Sequence, residues 1–359
     1  MLKQTPLHAR HLALKAKMAE FAGYDMPIQY AEGVMAEHNW TRAHAGLFDV
    51  SHMGQIWLGG ADAASLLERL TPSAIAPMRT GGTKYSVLMN EDGGIIDDLM
   101  ITRTGGEDFY LVVNGACKDK DIAWIKSHLS GDVRFDYLED RGLLALQGPE
   151  AEQALREALG IDAGTLDYMQ FIRHGDFYIS RLGYTGEDGF EISMPSAQTG
   201  EIWDKLLAHP SVKPIGLAAR DSLRLDMGYP LYGHDIDAQT TPLEADIGWI
   251  VRKNDRDFIG ADKLAQPARR RVGIRLTDKG VAREGSAVLA ADGTPIGALT
   301  SGGFSPTLNA AIAMGYVDTA YGADGTPVFV DVRGRKLAAA ISPLPFIRPK
   351  TKARKKHAA

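Results

Sequence analysis

Two adjacent aspartates, Asp97 and Asp98, interrupt an otherwise apolar run, Ile95-Ile96-Asp97-Asp98-Leu99-Met100-Ile101-Thr102. Before it stands a similar run, Lys84-Tyr85-Ser86-Val87-Leu88-Met89, and between them Asn90-Glu91-Asp92-Gly93-Gly94. Apolar runs joined by such a turn predict a β-hairpin. Side chains alternate across a strand, so Asp97 shares a face with Ile95 and Leu99, and Asp98 shares the other with Ile96 and Met100. Whichever face is buried holds a carboxylate among apolar side chains. Such a group needs a partner, a displaced pKa or a catalytic task; a solvated aspartate at a strand end is the alternative.

A second carboxylate poses the same problem. The segment Arg181-Leu182-Gly183-Tyr184-Thr185-Gly186-Glu187-Asp188-Gly189-Phe190-Glu191 reads as a Gly-rich loop between strands, with Tyr184 as an aromatic platform and Glu191 inside the following strand. An ionised carboxylate accepts two N–H donors side by side, so a flat heterocycle with adjacent N–H groups suits Glu191. A surface glutamate on a hairpin is the other reading. Further on, residues 216–226 predict a helix with Leu217, Leu223 and Leu225 toward the core and Arg220 and Arg224 four apart on one side. These arginines either hold a ligand or pair with Asp221 and Asp226. The polar, turn-rich residues 230–237 and 240–244 can line a cavity.

Other chemistries find no footing. There is no P-loop, HExxH or GxSxG pattern, and Gly183, Gly186 and Gly189 do not have the GxGxxG spacing. His38 and His44, six apart on a predicted helix, do not share a face, so no metal site is expected. Cys117 is the sole cysteine, which excludes an internal disulfide, a CxxC pair and a thiol-rich metal site, and it reads as a small buried thiol. A net charge of -5 does not fit a nucleic-acid binder, and no apolar run reaches membrane-spanning length. The N-terminal segment carries Lys3, Arg10, Lys15 and Lys17 without an apolar signal core and runs into residues 21–27, which read as folded. A cytoplasmic location is the expectation.

At 359 residues with 45% hydrophobic and 24% charged, the chain has the length of two or three globular domains. Helices are predicted over 61–70, 118–129, 150–158 and 199–207, and strands over 55–58, 85–89, 95–102, 109–113, 143–147, 175–182 and 189–194. Strand-turn-strand units interleaved with helices point to an α+β fold, not a doubly wound parallel sheet. From Arg269-Arg270-Arg271 onward the texture changes to short β runs punctuated by Gly and Pro, predicting a small antiparallel barrel or sandwich to about Pro345, with Gln266-Pro267-Ala268 as linker. The expected units are 1–265, 270–348 and a basic tail, 349–359.

Taken in order, Phe48-Asp49-Val50-Ser51-His52-Met53, Gly93-Gly94-Ile95-Ile96-Asp97-Asp98, Leu146-Gln147-Gly148-Pro149, Gly183-Tyr184-Thr185-Gly186-Glu187-Asp188-Gly189, Gly216-Leu217-Ala218-Ala219-Arg220-Asp221-Ser222 and Thr300-Ser301-Gly302 resemble the glycine cleavage T-protein family. The resemblance runs from Thr5-Pro6-Leu7 to Pro345-Phe346. It implies two intertwined folate-binding α+β subdomains plus a C-terminal antiparallel β-barrel. The implied reaction takes a one-carbon unit from the aminomethylated lipoyl arm of H-protein to tetrahydrofolate, releasing ammonia and giving 5,10-methylenetetrahydrofolate, with no metal or nicotinamide.

Matched position by position, the resemblance makes Asp98 the catalytic carboxylate beside folate N5 and N10, stabilising positive charge on the one-carbon fragment. It assigns Glu191 to the amino and N–H edge of the pterin. Tyr184, Tyr85 and Met53 would border the ring system, and Asn114 and Arg220 would supply polar contacts. Beyond Pro345-Phe346, where family members use a further C-terminal residue, this chain continues Ile347-Arg348-Pro349-Lys350-Thr351-Lys352, and the basic run to His357 reads as a solvated end. Related folds supply rivals. One is a tetrahydrofolate-dependent demethylase of a sulfonium donor, disfavoured by the intact second aspartate and the full motif set. Sarcosine- and dimethylglycine-oxidising enzymes carry a flavin domain for which this chain has no room. A non-enzymatic folate-binding iron–sulfur maintenance protein carries a cysteine in the loop where this chain has Gly183-Tyr184-Thr185-Gly186.

Overall fold

Asn90 turns the chain that carries the aspartates. Its Oδ1 accepts the backbone N–H of Asp92 at 3.0 Å and of Gly94 at 2.8 Å, while Gly93 takes φ +79°, a conformation that a β-carbon disfavours. In the computed structural model, which describes residues 1–252, 254 and 257–352, the strands so joined are Thr83–Met89 and Ile95–Arg103, with Val87 opposite Asp98. They begin a five-stranded sheet completed by Asp108–Val113, Gly54–Gly59 and Arg134–Tyr137. A six-stranded sheet runs in the order Gln170–His174, Phe177–Arg181, Gly189–Pro195, Arg141–Gln147, Ala45–Asp49, Val212–Pro214. Ala45–Asp49 precedes all of the first sheet in the chain yet lies inside the second, so the two subdomains interlock.

Alternation along the strands sorts the faces. Leu99, Ile101, Phe109, Leu111 and Val113 pack under the helices Ala63–Leu70 and Lys118–Ser127. Leu144, Leu146, Phe190 and Ile192 pack under Ala151–Leu159 and Ser196–Leu207, around the buried Trp203. Each such fully buried side chain contributes about 1.5–3 kcal/mol. The opposite faces meet: Tyr110 and Val112 of the first sheet contact Phe48, Leu143 and Ala145 of the second. Gln55 pins the sheets together, its Oε1 accepting from Tyr110 at 2.8 Å and from Ser193 of the facing sheet. The result is a helix–sheet–sheet–helix stack. No helix among the described residues is long and apolar enough to cross a membrane.

One strand escaped the sequence reading. A single strand was expected over 175–182; the structure has a hairpin, Gln170–His174 with Phe177–Arg181. In the first of these only Phe171 is buried, because it lies at the sheet edge, so it carries no apolar alternation to detect.

After residue 268 the chain closes into a six-stranded antiparallel barrel made of Arg269–Leu276, Ala287–Leu289, Pro295–Ser305, Ala310–Asp318, Pro327–Val332 and Arg335–Ser342. Of the two architectures expected, the barrel is the one formed, with Val272, Ile274, Leu299 and Val330 in its core. Closure leaves no free sheet edge.

The helix Leu217–Asp226 joins barrel to sheets: Leu225 packs on Ile312 and Met314. Arg224, 2% exposed, donates to Asp221 and Asp235 at 2.8 Å each, to Ser301 at 2.9 Å and to the Tyr229 carbonyl at 3.0 Å. It therefore does not share a task with Arg220: it pairs with Asp221 of its own helix, one of the acids the sequence offers it, and with Asp235 and Ser301 at the barrel junction. Residues 240–244 also turn to the barrel instead of lining a cavity. The Glu244 carbonyl accepts the Arg271 N–H at 2.8 Å and its carboxylate accepts from Arg269 at 3.1 Å. Losing the Arg224 charge strands Asp235 in a dry junction. Arg224→Met is expected to lower the unfolding free energy by about 3–5 kcal/mol in urea titrations, and adding Asp235→Asn to recover part of that loss.

Candidate active site

Between the inner faces of the two sheets lies a cavity of about 1070 Å³, bounded also by the helix Leu217–Asp226, residues 227–232 and the near end of the barrel. Asp98 reaches it from the first sheet, on the face opposite Leu99 and Ile101. Glu191 reaches it from the second, on the face opposite Phe190 and Ile192. Met53, Tyr85, Asn114, Tyr184 and Arg220 line the same space. The seven residues that the resemblance assigns to the site thus line one cavity, while Asp97, Arg224 and residues 240–244 do not. Met53 and His52 hang from the turn after Ala45–Asp49, where Asp49 accepts the Ser51 N–H at 2.9 Å.

Asp98 is held at both oxygens. Oδ1 accepts from Asn114 Nδ2 at 2.6 Å and Oδ2 from the Tyr85 hydroxyl at 3.0 Å. Val113 pairs with Leu99, so Asn114 falls opposite Asp98 just where the ladder stops, and its side chain bridges both aspartates. Burial, reinforced by the nearby Asp97 charge, pushes Asp98 up to about 7, while the bonds from Tyr85 and Asn114 oppose the rise. A carboxyl poised there can hold or release a proton at neutral pH.

Glu191 and Arg220 are a charged couple without their full complement of bonds. Burial raises the Glu191 carboxyl and the Arg220 charge opposes that rise. Among the described residues Arg220 Nη1 is buried without a partner, and Glu191 lines the cavity beside it. Buried polar groups are normally satisfied, so the unfilled Arg220 donor beside a carboxyl leaves bonding capacity at the cavity wall. Flat surfaces flank it. The Arg220 guanidinium lies 4.9 Å from the Tyr184 ring centroid, Tyr184 stacks on Tyr229 at 5.8 Å, and Tyr85 stacks on Trp249 at 6.0 Å. His52 is pushed down to about 4, first by burial and further by Arg220 and Lys118, against the pull of Asp49; it stands neutral.

The Gly-rich loop is shaped by close approach. Gly186 takes φ +76°, and a β-carbon there would stand 2.1 Å from Sδ of Met227, a cavity-lining residue. The same loop captures the start of the basic tail, which the sequence reading left in solvent. Lys350 N–H donates to the Gly186 carbonyl at 2.8 Å, Lys350 Nζ lies 3.1 Å from Glu187, and Thr351 and Lys352 line the cavity. The cause is Glu187, 2% exposed, whose charge draws Arg42 at 3.0 Å as well as Lys350. The remainder of the expected tail, 353–359, lies outside the described residues.

Sequence reasoning passed over Tyr168, Tyr229, Trp249 and Arg271, which also line the cavity. Tyr168, Tyr229 and Trp249 sit in segments with no period of their own, and Arg271 reads in the sequence only as part of the basic run that opens the barrel. An aromatic wedged in Gly228-Tyr229-Pro230 was the available signal. His38, buried, bonds to Ser222 at 2.9 Å and Thr307 at 2.7 Å, and no group of three or more His, Cys, Asp and Glu is placed for a metal ion among the described residues.

In carboxyl-carbon NMR, one aspartate is expected to titrate with a midpoint near 7. Asn114→Ala should move it upward by about 1–2 units, since a charge-assisted hydrogen bond of about 1.5–3 kcal/mol is lost from the ionised form. Because this carboxyl binds its proton more tightly folded than unfolded, stability should fall as pH rises from about 4 through 7, and Asp98→Asn should flatten that slope.

Residues 7–255 match the family model of the GCVT N-terminal domain, and residues 269–347 that of the Glycine cleavage T-protein C-terminal barrel domain. The aminomethyltransferase of Chloroherpeton thalassium is 39% identical over 360 residues, spanning 96% of this chain and 99% of that one. The probable mitochondrial aminomethyltransferase of Schizosaccharomyces pombe is 41% identical over 363 residues, spanning 96% and 93%. The crystal structure of the glycine cleavage system aminomethyltransferase T from Bartonella henselae superposes with a TM-score of 0.95 at 41% identity, covering 98% of this chain and 100% of that one. With both family models in tandem and near-complete coverage by relatives, the chain belongs to the glycine cleavage T-protein family.

Proposed function

We propose that this chain is the aminomethyltransferase of a glycine cleavage system, taking the one-carbon unit of an aminomethylated, lipoyl-bearing H-protein to tetrahydrofolate and releasing ammonia. The reading is carried by one observation: a buried carboxyl raised to about 7, Asp98, shares the walls of a single cavity with Glu191 and with Arg220, whose Nη1 has no partner. The cavity's volume of about 1070 Å³ is at the upper end of small-molecule sites, which suits a folate met by the tip of a second substrate.

The residues present fit a reduced pterin. Glu191 has acceptor capacity for an amino group and a ring N–H side by side. Tyr184, Tyr85 and Met53 offer flat or polarisable surface to the ring, and Asn114 and Arg220 offer donors. When bound, tetrahydrofolate supplies the nitrogen nucleophile that accepts the one-carbon unit. Everything else falls to the chain. Asp98, ionised, faces positive charge that develops on the transferred fragment; protonated, it has a proton to give the departing amine. Tyr85 and Asn114 fix that carboxylate before the reaction begins, so little reorganisation accompanies the charge change.

Asp98→Asn is expected to lower kcat for ammonia release about 10²–10³-fold with the folate Kd within about twofold, and unchanged turnover would reject the assignment. Glu191→Ala should raise the tetrahydrofolate Kd about 10–100-fold in calorimetry, the equivalent of a lost charge-assisted bond, with kcat at saturation much less affected. Turnover of a sulfonium methyl donor in place of the aminomethylated H-protein would replace the reading with the demethylase.

A further inference from the structure

Behind Asp98 sits a second pair of carboxyls for which the reaction gives no use. Asp97 leaves the opposite face of its strand and enters the core, and Asp121 stands in the first turn of the helix Lys118–Ser127; both are 0% exposed. Neither oxygen of Asp121 receives a hydrogen bond from a donor fixed by the fold. Lys120, on the same turn, gives its ammonium to the Tyr232 hydroxyl at 2.8 Å. The hydrogen-bonding neighbour of Asp121 is Asp97.

Two carboxyls can share a hydrogen bond only if one is protonated. Asp97 already accepts the Asn114 backbone N–H at 3.0 Å and its side-chain N–H at 2.9 Å, and both bonds stabilise the ionised form. An ionised Asp121 would have neither water nor donor, and the helix's first turn favours negative charge only weakly beside that desolvation. The proton therefore belongs to Asp121.

We propose that Asp121 is a neutral carboxylic acid that donates its O–H to Asp97 and thereby serves as a positioning residue for Asp98. The chain of contacts is Asp121 to Asp97, Asp97 to Asn114, Asn114 to Asp98. An anionic Asp97 holds the Asn114 amide with its NH₂ group toward both aspartates; the flipped amide would set its carbonyl oxygen against two carboxylates. Asp121 keeps Asp97 in place without adding a third negative charge beneath the cavity. Burial, followed by the Asp97 charge, raises Asp121 to about 10, with Lys120 opposing. The role rests on the reading of Asp98 as the reacting carboxylate.

The test is made on the full chain. At about pH 8.5, between carboxyl pKa values of about 7 for Asp98 and about 10 for Asp121, the infrared spectrum should hold the carbonyl stretch of a protonated acid that Asp121→Asn removes and Asp98→Asn leaves. The other titratable groups facing the pair are Asp98 from the same strand, Cys117 and Lys120 from the helix end and Tyr232 from the loop; of these only Asp98 absorbs as a carboxylic acid, and Asp98→Asn accounts for it. Asp121→Asn keeps an N–H donor for Asp97 and should retain kcat within about threefold, whereas Asp121→Ala should lose about tenfold in kcat with the folate KM within about twofold. The proposal is overturned if no acid band disappears, or if Asn and Ala lose activity equally. Should Asp121→Ala not fold, the spectrum and the Asn variant decide. A wild-type chain inactive toward aminomethylated H-protein would reject the function while leaving the infrared result standing.

Discussion

A carboxylate aimed into a protein-walled cavity loses the water that would otherwise hold its charge, and at Asp98 the surrounding structure has to make good that loss. The support is two donors, one from the partner strand of the same hairpin and one from the residue just past the end of the next strand. Both positions follow from sheet register. A doublet of aspartates on one strand also forces the second carboxylate into the core, where Asp97 is fully enclosed. Asn114 answers both problems at once because pairing has stopped at Val113, leaving its backbone N–H and amide free to bond sideways.

The rest of the cavity wall is charged in a coordinated way. Arg220 lowers the cost of an ionised Glu191 and helps keep His52 uncharged, so one guanidinium governs two neighbours in opposite senses. The barrel is part of this arrangement and not an appended module. Arg271, 3% exposed, starts on a barrel strand, donates to the Gly228 and Ala245 carbonyls at 2.7 and 2.8 Å, and still borders the cavity. Arg224, Asp235 and Ser301 lock the same junction from the helix side.

Much of this was legible in the sequence because it is local. The hairpin around Asn90, the opposite faces of Asp97 and Asp98, and the position of Glu191 within a strand all follow from alternation and turn chemistry. What was not legible depends on partners distant in the chain. Arg224 looks like a twin of Arg220 until Asp235 and Ser301 arrive beside it. Lys350 looks like solvated charge until the buried Glu187 is seen to need it. The edge strand Gln170–His174 has no apolar rhythm, and Trp249, 72% exposed, sits in a single short turn where neither period nor burial flags it. The ordered family motifs contain Met53, Asp98, Tyr184 and Arg220, whereas Tyr85, Asn114 and Glu191 lie outside them.

The interlocked threading of the two sheets bears on how the chain is made. Ala45–Asp49 must wait between Arg141–Gln147 and Val212–Pro214, its hydrogen-bonding neighbours on either side. A ribosome must therefore add more than 160 residues after this strand before its second flank exists. Until then an apolar strand with at least one open edge hangs on a nascent polypeptide, a state prone to intermolecular pairing. Such long-range closure makes for slow assembly, and a chain cut anywhere between the strand and its partners cannot complete the layer from which Glu191 faces the cavity.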